Sequence, residues 1–407
     1  MVTEYIKNNW DKCIRYNKED NGTLIGLPQP YIVPTTDGAF EEMYYWDTFF
    51  TCKGLLLTGR TDVVKNCTDN MLYLVNRFGF MPNGNRTYYL SQSQPPFLSM
   101  MVKDVYNAEK DKVWLESAYE TLKKEYDFWM RERMTPIGLN AFGVNRGNIK
   151  NPKSHYESIS KRINLHIPTK DYEEFAENML ADCESGWDFN PRTLLKQKEN
   201  VYVDLNSNLY IYEKNFAEFA GILNNGEQEK WIEAANRRKS LMNKYLWHDN
   251  AFYDYNFVTN TASPIFSAAS FYPLWAEVAD FEQAEKTVAL LKLIEFDYGI
   301  TACCKNDVPG SYQWDYPTGW APLHYIVIKA LENYGFISDA YRIAKKYVSV
   351  SEALFESTGC LWEKYNAVVG GLTTGSDYQG HPMLGWSAGV YLYAKDFLLQ
   401  RIRTKKN

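Results

Sequence analysis

The chain has 407 residues, of which 45% are hydrophobic and 16% aromatic, and its formal net charge is −6 at pH 7. This length is enough for one large domain or for two to three ordinary ones. The sequence contains no run of Lys and Arg that would mark a nucleic-acid or lipid surface, and no apolar segment of membrane-spanning length. It therefore predicts neither nucleic acid nor a membrane as a partner.

Apolar residues recur at three- and four-residue steps along most of the chain, which is the pattern of amphipathic helices. In 62–78, for example, Val63, Val64, Cys67 and Met71 follow this spacing. β-Branched runs with a period of two are scarce. The predicted helices are 2–15, 42–58, 61–78, 90–107, 111–134, 206–225, 227–245, 265–277, 280–293, 318–336, 338–351 and 383–401.

Neighbouring predicted helices are often joined by very few residues, such as "TGRT" at 58–61 and "NNGE" at 224–227. Short connections make antiparallel helix pairs. Twelve paired helices predict an all-α (α/α)6 barrel, a toroid of six helical hairpins, with 1–407 as a single domain. The alternative is a helical-repeat solenoid, but the sequence has no fixed period.

The long loops of such a barrel gather at one end and build its site. The predicted long loops are 16–41, 79–89, 135–205, 294–317 and 352–382, and we expect 135–205 to be a catalytic insertion. Many of the 12 Trp and 31 Tyr residues stand beside Asp, Glu, Asn or Gln. Rings next to hydrogen-bonding groups suit a small carbohydrate, although composition alone fits a large aromatic core equally well.

The seven cysteines are irregularly spaced, and Cys303 and Cys304 are adjacent. Neither they nor the five histidines form a metal-ligand pattern, so the sequence predicts no metal and no cofactor. The polar N-terminal segment lacks the apolar stretch of a secretion signal. Since the thiols are also interpreted as reduced, we expect a cytoplasmic protein.

Five stretches combine aromatic rings with amides and carboxylates. Each one alone is more often structural, because a Trp-Asp pair is usually a packed ring beside a solvated acid. Five together, at the ends of predicted loops, indicate a site for a sugar. The stretches are "GAFEEMYYWD" (38–47), "PNGNRTYYLSQSQPP" (82–96), "ESGWDFNPR" (184–192), "QWDYPTGWAP" (313–322) and "LWEKYN" (361–366).

Glycoside hydrolysis suits these residues because it needs two carboxyl groups across the scissile bond, one protonated and one ionised. Asp188 stands between a tryptophan and a phenylalanine, and burial against rings would hold its proton. Glu363 is followed by a lysine and a tyrosine, which would favour its ionised form. On spacing alone, Asp47 and Asp315 are equally plausible carboxylates.

These stretches resemble the α,α-trehalases and the wider trehalase-like group of glycoside hydrolases. "TDGAFEEMYYWD" is similar to P-G-G-R-F-x-E-x-Y-x-W-D, and "QWDYPTGWAP" matches Q-W-D-x-P-x-G-W-A-P at every fixed position. The pieces P-N-G-N-R-x-Y-Y-L-S, E-S-G-W-D-F and E-K-Y-N are also present, from about residue 26 to 395 and in the family's order. The related mannosyl- and glucosylglycerate hydrolases share the barrel, and the "NPR" tail of the acid loop leans towards them.

The resemblance implies an (α/α)6 barrel and an inverting α-glycosidase without a metal, with Asp188 as general acid and Glu363 as general base. Trehalose is the first predicted substrate, and another small α-glycoside such as glucosylglycerate or mannosylglycerate is the second. A non-catalytic sugar-binding barrel is the alternative of a different class. The predicted substrate-binding residues are Phe40, Tyr44, Trp46, Asp47, Asn83, Gln92, Gln94, Trp314 and Asp377.

The chain departs from the family where the family carries arginines. The Arg of P-G-G-R-F is Ala39, the Arg of L-S-R-S-Q-P-P is Gln92, and the R-P-E-S segment is replaced by "HIPTKDYEE" at 166–174. Asp377 stands in place of a family Glu. Because Ala and Gln do not supply the planar five-donor group of Arg, the resemblance implies a retained reaction class with an open choice of sugar or leaving group.

Overall fold

The structure is a computed structural model, and it describes residues 1–145, 151–373 and 380–404. α-Helices dominate this part of the chain. They are α1 (Val2–Asn9), α2 (Tyr45–Leu57), α3 (Thr61–Phe78), α4 (Leu98–Glu109), α5 (Lys112–Glu132), α6 (Pro152–Arg162), α7 (Tyr172–Ser185), α8 (Val203–Leu223), α9 (Gln228–Tyr245), α10 (Tyr272–Trp275), α11 (Phe281–Ala289), α12 (Ala321–Asn333), α13 (Ile337–Thr358) and α14 (Gly385–Thr404).

Two kinds of helix alternate along the chain and differ in how much of their surface is buried. α8 and α12 are buried on nearly every face, whereas α9 buries a single stripe of four residues from Trp231 to Met242. A helix buried all round lies inside a fold, and an amphipathic helix covers it from outside. The inner helices are α2, α4, α8, α10, α12 and α14, and outer helices pack on them, as α3 does on α2, α5 on α4, α9 on α8 and α13 on α12.

The six inner helices form a closed ring. α4 packs on α8, α8 on α10, α10 on α12, α12 on α14, and α14 returns to α2. α2 is joined to α4 where the backbone N–H of Leu98 donates to the Tyr45 hydroxyl at 3.0 Å. Phe49 and Phe97 stack beside this bond, with ring centroids 4.4 Å apart. The predicted (α/α)6 barrel is therefore confirmed.

Every predicted helix has a counterpart in the structure, but several begin or end at other residues than predicted, for local reasons. The helix predicted at 90–107 begins only at Leu98, because Pro95 and Pro96 lack the N–H that a helix needs and restrict the residue before them. The helix predicted at 338–351 continues to Thr358, where Gly359 adopts the left-handed φ of 78° that ends many helices.

The stretch 135–205, predicted as a long loop, contains α6 and α7. Asp171 begins α7 by accepting a hydrogen bond from the backbone N–H of Glu174 at 2.9 Å. The two helices pack on each other and share a small hydrophobic cluster that is separate from the barrel core. We call this pair the insertion hairpin. The cluster consists of Tyr156, Ile159, Ile163, Phe175, Met179, Phe189 and Tyr312.

The described strands have two or three residues each and pair antiparallel in small sheets. β10 pairs antiparallel with β11, with Gly319 opposite Tyr365 and Trp320 opposite Lys364. The strands are β1 (Ile14–Arg15), β2 (Tyr31–Ile32), β3 (Asn200–Val201), β4 (Trp247–His248), β5 (Ala251–Phe252), β6 (Tyr255–Asn256), β7 (Thr261–Ala262), β8 (Glu295–Phe296), β9 (Gly299–Ile300), β10 (Thr318–Trp320) and β11 (Lys364–Asn366).

The ring closes where α14 crosses α2, with Gly389 of α14 against Gly54 of α2. A Cβ on Gly389 would collide with the backbone oxygen of Phe50 and lie 2.9 Å from Cα of Thr51. We therefore expect Gly389→Ala to lower the free energy of unfolding by about 1–3 kcal/mol, the usual cost of overpacking, measured by urea denaturation. Gly371→Ala is the matched control, because its Cβ would meet no atom within 4 Å. Equal stability of the two variants would contradict this account of ring closure.

Candidate active site

A cavity of about 450 Å³ opens at the end of the barrel where the inner helices begin. Its walls come from the segments that precede or start α2, α4, α8, α12 and α14, and from Arg162 of α6 and Cys183 of α7. The lining residues are Pro34, Phe40, Tyr44, Trp46, Asp47, Asn83, Tyr89, Gln92, Gln94, Arg162, Cys183, Gly186, Asp188, Gln313, Trp314, Trp320, Glu363, His381, Met383 and Trp386.

The predicted site residues lie together in this cavity, except for Asp377, which lies outside the described residues. Those that line it are Asp188, Glu363, Phe40, Tyr44, Trp46, Asp47, Asn83, Gln92, Gln94 and Trp314. Asp315, the other carboxylate that spacing allowed, is not among the lining residues. It accepts hydrogen bonds from the Asn306 side chain at 2.8 Å and from the Tyr316 backbone at 2.7 Å. The roles of the predicted site residues in binding and catalysis stay predictions.

The floor of the cavity rests on three stacked rings, Trp187, Trp314 and Trp320, which we call the tryptophan column. Trp314 lies parallel to Trp320 with a centroid distance of 3.9 Å and an interplanar angle of 2°, and it stacks on Trp187 at 5.3 Å. The guanidinium of Arg192 covers the outer face of Trp187 at 4.0 Å. At the other end, Lys364 Nζ lies 5.3 Å from the Trp320 ring. The column is thus closed at both ends by a buried cation.

Arg192 is held at its end of the column by two carboxylates, Asp204 at 2.9 Å and Asp254 at 3.2 Å. All three side chains are buried. Burial raises the pKa of Asp254 to about 6, although Arg192 opposes the shift. This network fixes the loop that carries Trp187, and with it the adjacent Asp188.

The proposed acid loop begins directly at the end of α7. Gly186 ends the helix with a φ of 76°, and a Cβ there would lie 2.7 Å from the Trp46 ring. Only glycine allows this approach, which brings the loop against the cavity floor. Trp187 and Phe189 are buried, whereas the side chain of Asp188 is 33% exposed. The two rings next to Asp188 in sequence therefore pack away while its carboxyl opens into the cavity.

Glu184, the first acidic residue of the same motif, points away from the cavity. Its carboxylate makes a two-pronged ion pair with Arg133, at 2.8 and 2.9 Å. It also accepts hydrogen bonds from the backbone N–H groups of Ser93 at 2.8 Å and Gly143 at 2.7 Å. Glu184 is completely buried. It joins the end of α7 to the loops that carry Gln92 and Gln94.

Glu363, the proposed base, precedes β11 and is fixed through its backbone. Its N–H donates to the carbonyl of His381 at 3.0 Å, and its carbonyl accepts from Trp386 Nε1 at 3.2 Å. Two residues on, the Tyr365 hydroxyl lies 3.0 Å from Nε2 of His324. Burial lowers the pKa of His324 to about 4, so this histidine is neutral in the core behind the strand.

The loops that carry Asp188 and Glu363 are bridged by one buried glutamine. Lys364 Nζ donates to Gln313 Oε1 at 2.9 Å, and Gln313 Nε2 donates to the backbone carbonyl of Asp188. The bridge runs in parallel with the tryptophan column. The relative position of the two carboxyl-bearing loops is therefore fixed by both stacking and hydrogen bonding.

Asp47, in the first turn of α2, faces the same space. Burial raises its pKa well above the ordinary value, and the nearby carboxylates of Glu363 and Asp188 raise it further. Three carboxyl groups thus share one cavity. Arg162 provides a positive charge there, with Nη2 at 3.9 Å from Asp188 Oδ2.

An aromatic wall of Phe40, Tyr44, Tyr89 and His381 faces the tryptophans across the cavity. Phe40 contacts Tyr44 and His381 edge to face, with centroid distances of 6.0 and 5.2 Å. The Tyr89 hydroxyl donates to the Tyr44 hydroxyl at 3.3 Å, and Tyr44 donates to Glu42 at 2.9 Å. These bonds fix the rings, and burial raises the pKa of Tyr44, which remains a neutral donor.

Several lining residues were absent from the sequence prediction: Pro34, Tyr89, Arg162, Cys183, Gly186, Gln313, Trp320, His381, Met383 and Trp386. Tyr89, Gln313 and Trp320 lie inside the motifs quoted in the sequence analysis, so these motifs could have been used to predict them as lining residues. Arg162 and His381 lie outside them. The stretch 166–174, matched to a family arginine segment, contributes no residue to this wall.

Comparison with known proteins identifies the family. The sequence profile of the family described as Trehalase matches residues 1–398. The chain belongs to the trehalase family. It is 33% identical to the periplasmic trehalase of Xanthomonas oryzae over 96% of this chain and 72% of that protein, and 33% identical to the trehalase of Apis mellifera over 93% and 64%.

Solved structures support the fold of this trehalase-family chain. The neutral trehalase of Saccharomyces cerevisiae matches 98% of this chain and 80% of its own, with a TM-score of 0.78 and 27% identity. A mannosylglycerate hydrolase from Thermus thermophilus covers 97% and 100% with a TM-score of 0.67, but at 16% identity it is similar in fold alone. Family membership makes the chain a glycoside hydrolase, and the prediction of an enzyme is confirmed.

The predicted cytoplasmic location is wrong. The bacterial relatives from Xanthomonas, Pseudomonas aeruginosa and Salmonella typhi are named periplasmic trehalases, and this points to the periplasm. The cysteine argument failed because unpaired thiols persist in either compartment when the fold shields them. All seven are free, and Cys13, Cys52, Cys67 and Cys303 are buried. In the described residues, no helix is both long and apolar enough to cross a membrane.

The Glu184 contacts predict a stability effect. Glu184→Gln removes the buried negative charge opposite Arg133 and leaves that guanidinium without its counter-ion. We expect the free energy of unfolding to fall by about 3–5 kcal/mol, as when one partner of a buried ion pair is removed, measured by urea denaturation. The control is Glu132→Gln, which breaks an exposed ion pair with Arg131 and costs at most about 1 kcal/mol. A loss as small as the control's would contradict the structural role of Glu184.

Proposed function

We propose that this chain hydrolyses trehalose with inversion of configuration, with Asp188 as general acid and Glu363 as general base. The observation that carries the proposal is the meeting of these two carboxyl groups, from distant motifs, in one cavity with the matched rings and amides. The trehalase relatives, at about one-third identity over nearly the whole chain, support the choice of substrate.

In the proposed reaction, one glucose unit lies between the two carboxyl groups. Asp188 donates its proton to the glycosidic oxygen while the bond from that oxygen to the anomeric carbon breaks. Glu363 takes a proton from a water molecule, whose oxygen bonds to the same carbon from the opposite face. Two glucose molecules leave, Asp188 ends ionised, and Glu363 ends protonated. Proton exchange with solvent restores both groups.

The cavity wall supplies the two kinds of contact that a sugar needs. The rings of Phe40, Tyr44, Trp46 and Trp314 offer flat apolar surface to C–H faces. Asn83 and Gln94 are buried amides that line the cavity, and Gln94 accepts a hydrogen bond from the Trp46 backbone N–H at 3.1 Å. We propose that these residues and Gln92 hold the substrate. Asp377, outside the described residues, stays a predicted contact.

The comparisons favour trehalose over the second candidate, glucosylglycerate or mannosylglycerate. The relatives at about one-third identity over nearly the whole chain are named trehalases, whereas the mannosylglycerate hydrolase is only 16% identical.

We also propose that residues 1–407 act as one domain. The main hydrophobic core is continuous from Val2 in α1 to Phe397 in α14. The insertion hairpin packs on the acid loop through Phe189. Both observations support a single unit in which the hairpin belongs to the site.

The proposed roles predict how two variants differ. Asp188→Asn and Glu363→Gln are each expected to lower kcat on trehalose by about 10²–10⁴-fold, the usual contribution of a general acid or base. α-Glucosyl fluoride separates the two roles, because fluoride leaves without a proton donor. Asp188→Asn should keep hydrolysing it, and Glu363→Gln should not. Released glucose and fluoride are the measurements.

The control for these variants is Asp62→Asn, an aspartate 66% exposed and ion-paired with Arg60 on the surface. Its activity should equal that of the wild type. Full activity of Asp188→Asn on trehalose would overturn the acid assignment. A wild type that releases no glucose from trehalose, but is active in a screen of other α-glycosides, would overturn the substrate.

Inversion predicts the anomers that first appear. Trehalose joins two α-glucose units through their anomeric carbons, so inversion gives β-glucose from the attacked unit and α-glucose from the leaving unit. Proton NMR in the first turnovers, before mutarotation, should therefore show both anomers in equal amounts. A product that is α alone would mean retention and a covalent intermediate.

A further inference from the structure

His324 is a buried histidine to which the proposed mechanism gives no part. It stands in the first turn of α12, and its side chain is completely buried in the core behind β11. Burying an imidazole costs free energy unless its two ring nitrogens have hydrogen-bond partners. Both nitrogens of His324 have such partners, and these partners belong to the segments that carry the proposed base, Glu363.

The hydrogen bonds of His324 fix which nitrogen carries the proton. Nδ1 lies 2.7 Å from the carbonyl oxygen of Trp320, which can only accept, so Nδ1 is the protonated nitrogen. Nε2 therefore has a lone pair, and it accepts a hydrogen bond from the backbone N–H of Ile300 at 3.0 Å. Tyr347 of α13 and Tyr365 of β11 pack against the ring, and burial raises the pKa of both hydroxyls. The imidazole is thus a neutral group among neutral neighbours.

Nε2 of His324 is the point where β9 meets β11. The Tyr365 hydroxyl lies 3.0 Å from Nε2 and 3.0 Å from the carbonyl oxygen of Tyr298, so two acceptors face its single proton. Gly299 makes the close approach of β9 possible, because a Cβ there would lie 2.5 Å from both Nε2 and the tyrosine hydroxyl. One ring nitrogen therefore holds the backbone of β9 and a side chain of β11 together.

The strand that His324 holds leads directly to the proposed base. Tyr365 is two residues beyond Glu363, and Trp320, whose carbonyl accepts from Nδ1, stands opposite Lys364 in the β10–β11 pair. The imidazole thus contacts both strands of this pair, on either side of the residue that follows the base. The base must hold a water in line with the anomeric carbon, and a misplacement of about 1 Å can lower the rate by about 10²-fold.

We propose that His324 is a positioning residue for the general base, and that its Nε2 holds β11 where Glu363 can direct the attacking water. This inference rests on the proposed function. His324 is not among the residues that line the cavity, so it acts through the strand and not on the substrate. The acceptor at Nε2 is the atom on which the role depends, because it alone joins β9 to β11.

The competing explanation is that His324 only stabilises the core. A purely stabilising residue changes the fraction of folded protein, so its variants lose activity in step with their loss of stability. A residue that positions the base lowers kcat of the folded enzyme and leaves the binding of substrate unchanged. Two variants of similar size that keep different nitrogens separate these roles.

The first experiment compares His324→Gln with His324→Asn on trehalose, with stability measured by urea denaturation. The Gln oxygen can take the place of Nε2 as acceptor for Ile300, whereas Asn replaces only Nδ1 and its bond to Trp320. We expect kcat to fall by about 10- to 100-fold in His324→Asn and to stay within about 3-fold of wild type in His324→Gln, with KM nearly unchanged in both. Equal kcat in the two variants would overturn the inference.

Tyr365→Phe tests the same link from the side of the strand. It removes the hydroxyl on β11 and leaves both backbone bonds of His324 in place. We expect kcat on trehalose to fall by about 10-fold, again with KM nearly unchanged. Full activity of this variant would overturn the inference even if His324→Asn did not fold.

Azide provides a measurement that a loss of folded protein does not change. With α-glucosyl fluoride, azide forms a bond from nitrogen to the anomeric carbon while the C–F bond breaks, and β-glucosyl azide and fluoride are released. Azide is already an anion, so this reaction needs no general base. Azide should therefore restore most of the fluoride release that His324→Asn and Glu363→Ala lose, and add little to the wild type. Restoration in Glu363→Ala but not in His324→Asn would overturn the inference.

The matched control is His248→Asn. His248 is a half-buried histidine of β4 that does not line the cavity, and its Nε2 lies 2.9 Å from the carbonyl oxygen of Tyr245. This variant should keep the kcat of the wild type and its weak response to azide. The proposed function fails on a different result, which is full activity of Glu363→Ala on trehalose.

Discussion

The positions of the two proposed catalytic carboxyl groups depend on a buried column of three tryptophans. Trp187 immediately precedes Asp188, and Trp320 pairs across strands with Lys364, which immediately follows Glu363. Between these ends Trp314 stacks on both. Dispersion between rigid rings has steep distance dependence, so a stack without gaps sets the spacing of whatever is attached to its ends. The two loops come from parts of the chain that are far apart, and the column makes them one unit.

Each end of the tryptophan column is covered by a buried cation, so charged side chains are in contact with closely packed rings. Arg192 and Lys364 lie against outer ring faces, where the negative quadrupole of indole attracts them. Arg192 is also paired with Asp204 of α8, and Lys364 donates to Gln313, which bonds to the backbone of Asp188. These contacts offset the free-energy cost of burying the two cations. They also hold the ends of the column in place beside the proposed catalytic residues.

Much of the barrel was predictable because its helices repeat apolar residues at three- and four-residue steps and are joined by short turns. The insertion hairpin was not, because α6 buries only Tyr156 and Ile159, and such a sparse stripe has no distinct period. Most of the cavity was predictable through motifs in which rings and amides are neighbours in sequence. Arg162 was missed since its partners, Phe189 and Asp188, are close only in space.

Sequence neighbours were a poor guide to the local environment of a carboxyl group. Asp188 stands between two aromatic residues in sequence, but both rings are buried elsewhere and its carboxyl faces the cavity. Glu184, the other acidic residue of the same motif, forms internal contacts instead. Backbone direction at Gly186 separates the two outcomes, and a pattern of letters does not contain it.

The insertion hairpin has a small hydrophobic cluster of its own, to which Phe189 of the acid loop and Tyr312 also belong. Changes on its cavity-facing surface therefore need not disturb the ring of inner helices on which stability rests. Substitutions on the cavity side of the insertion hairpin can therefore reshape one wall of the cavity without repacking the main core.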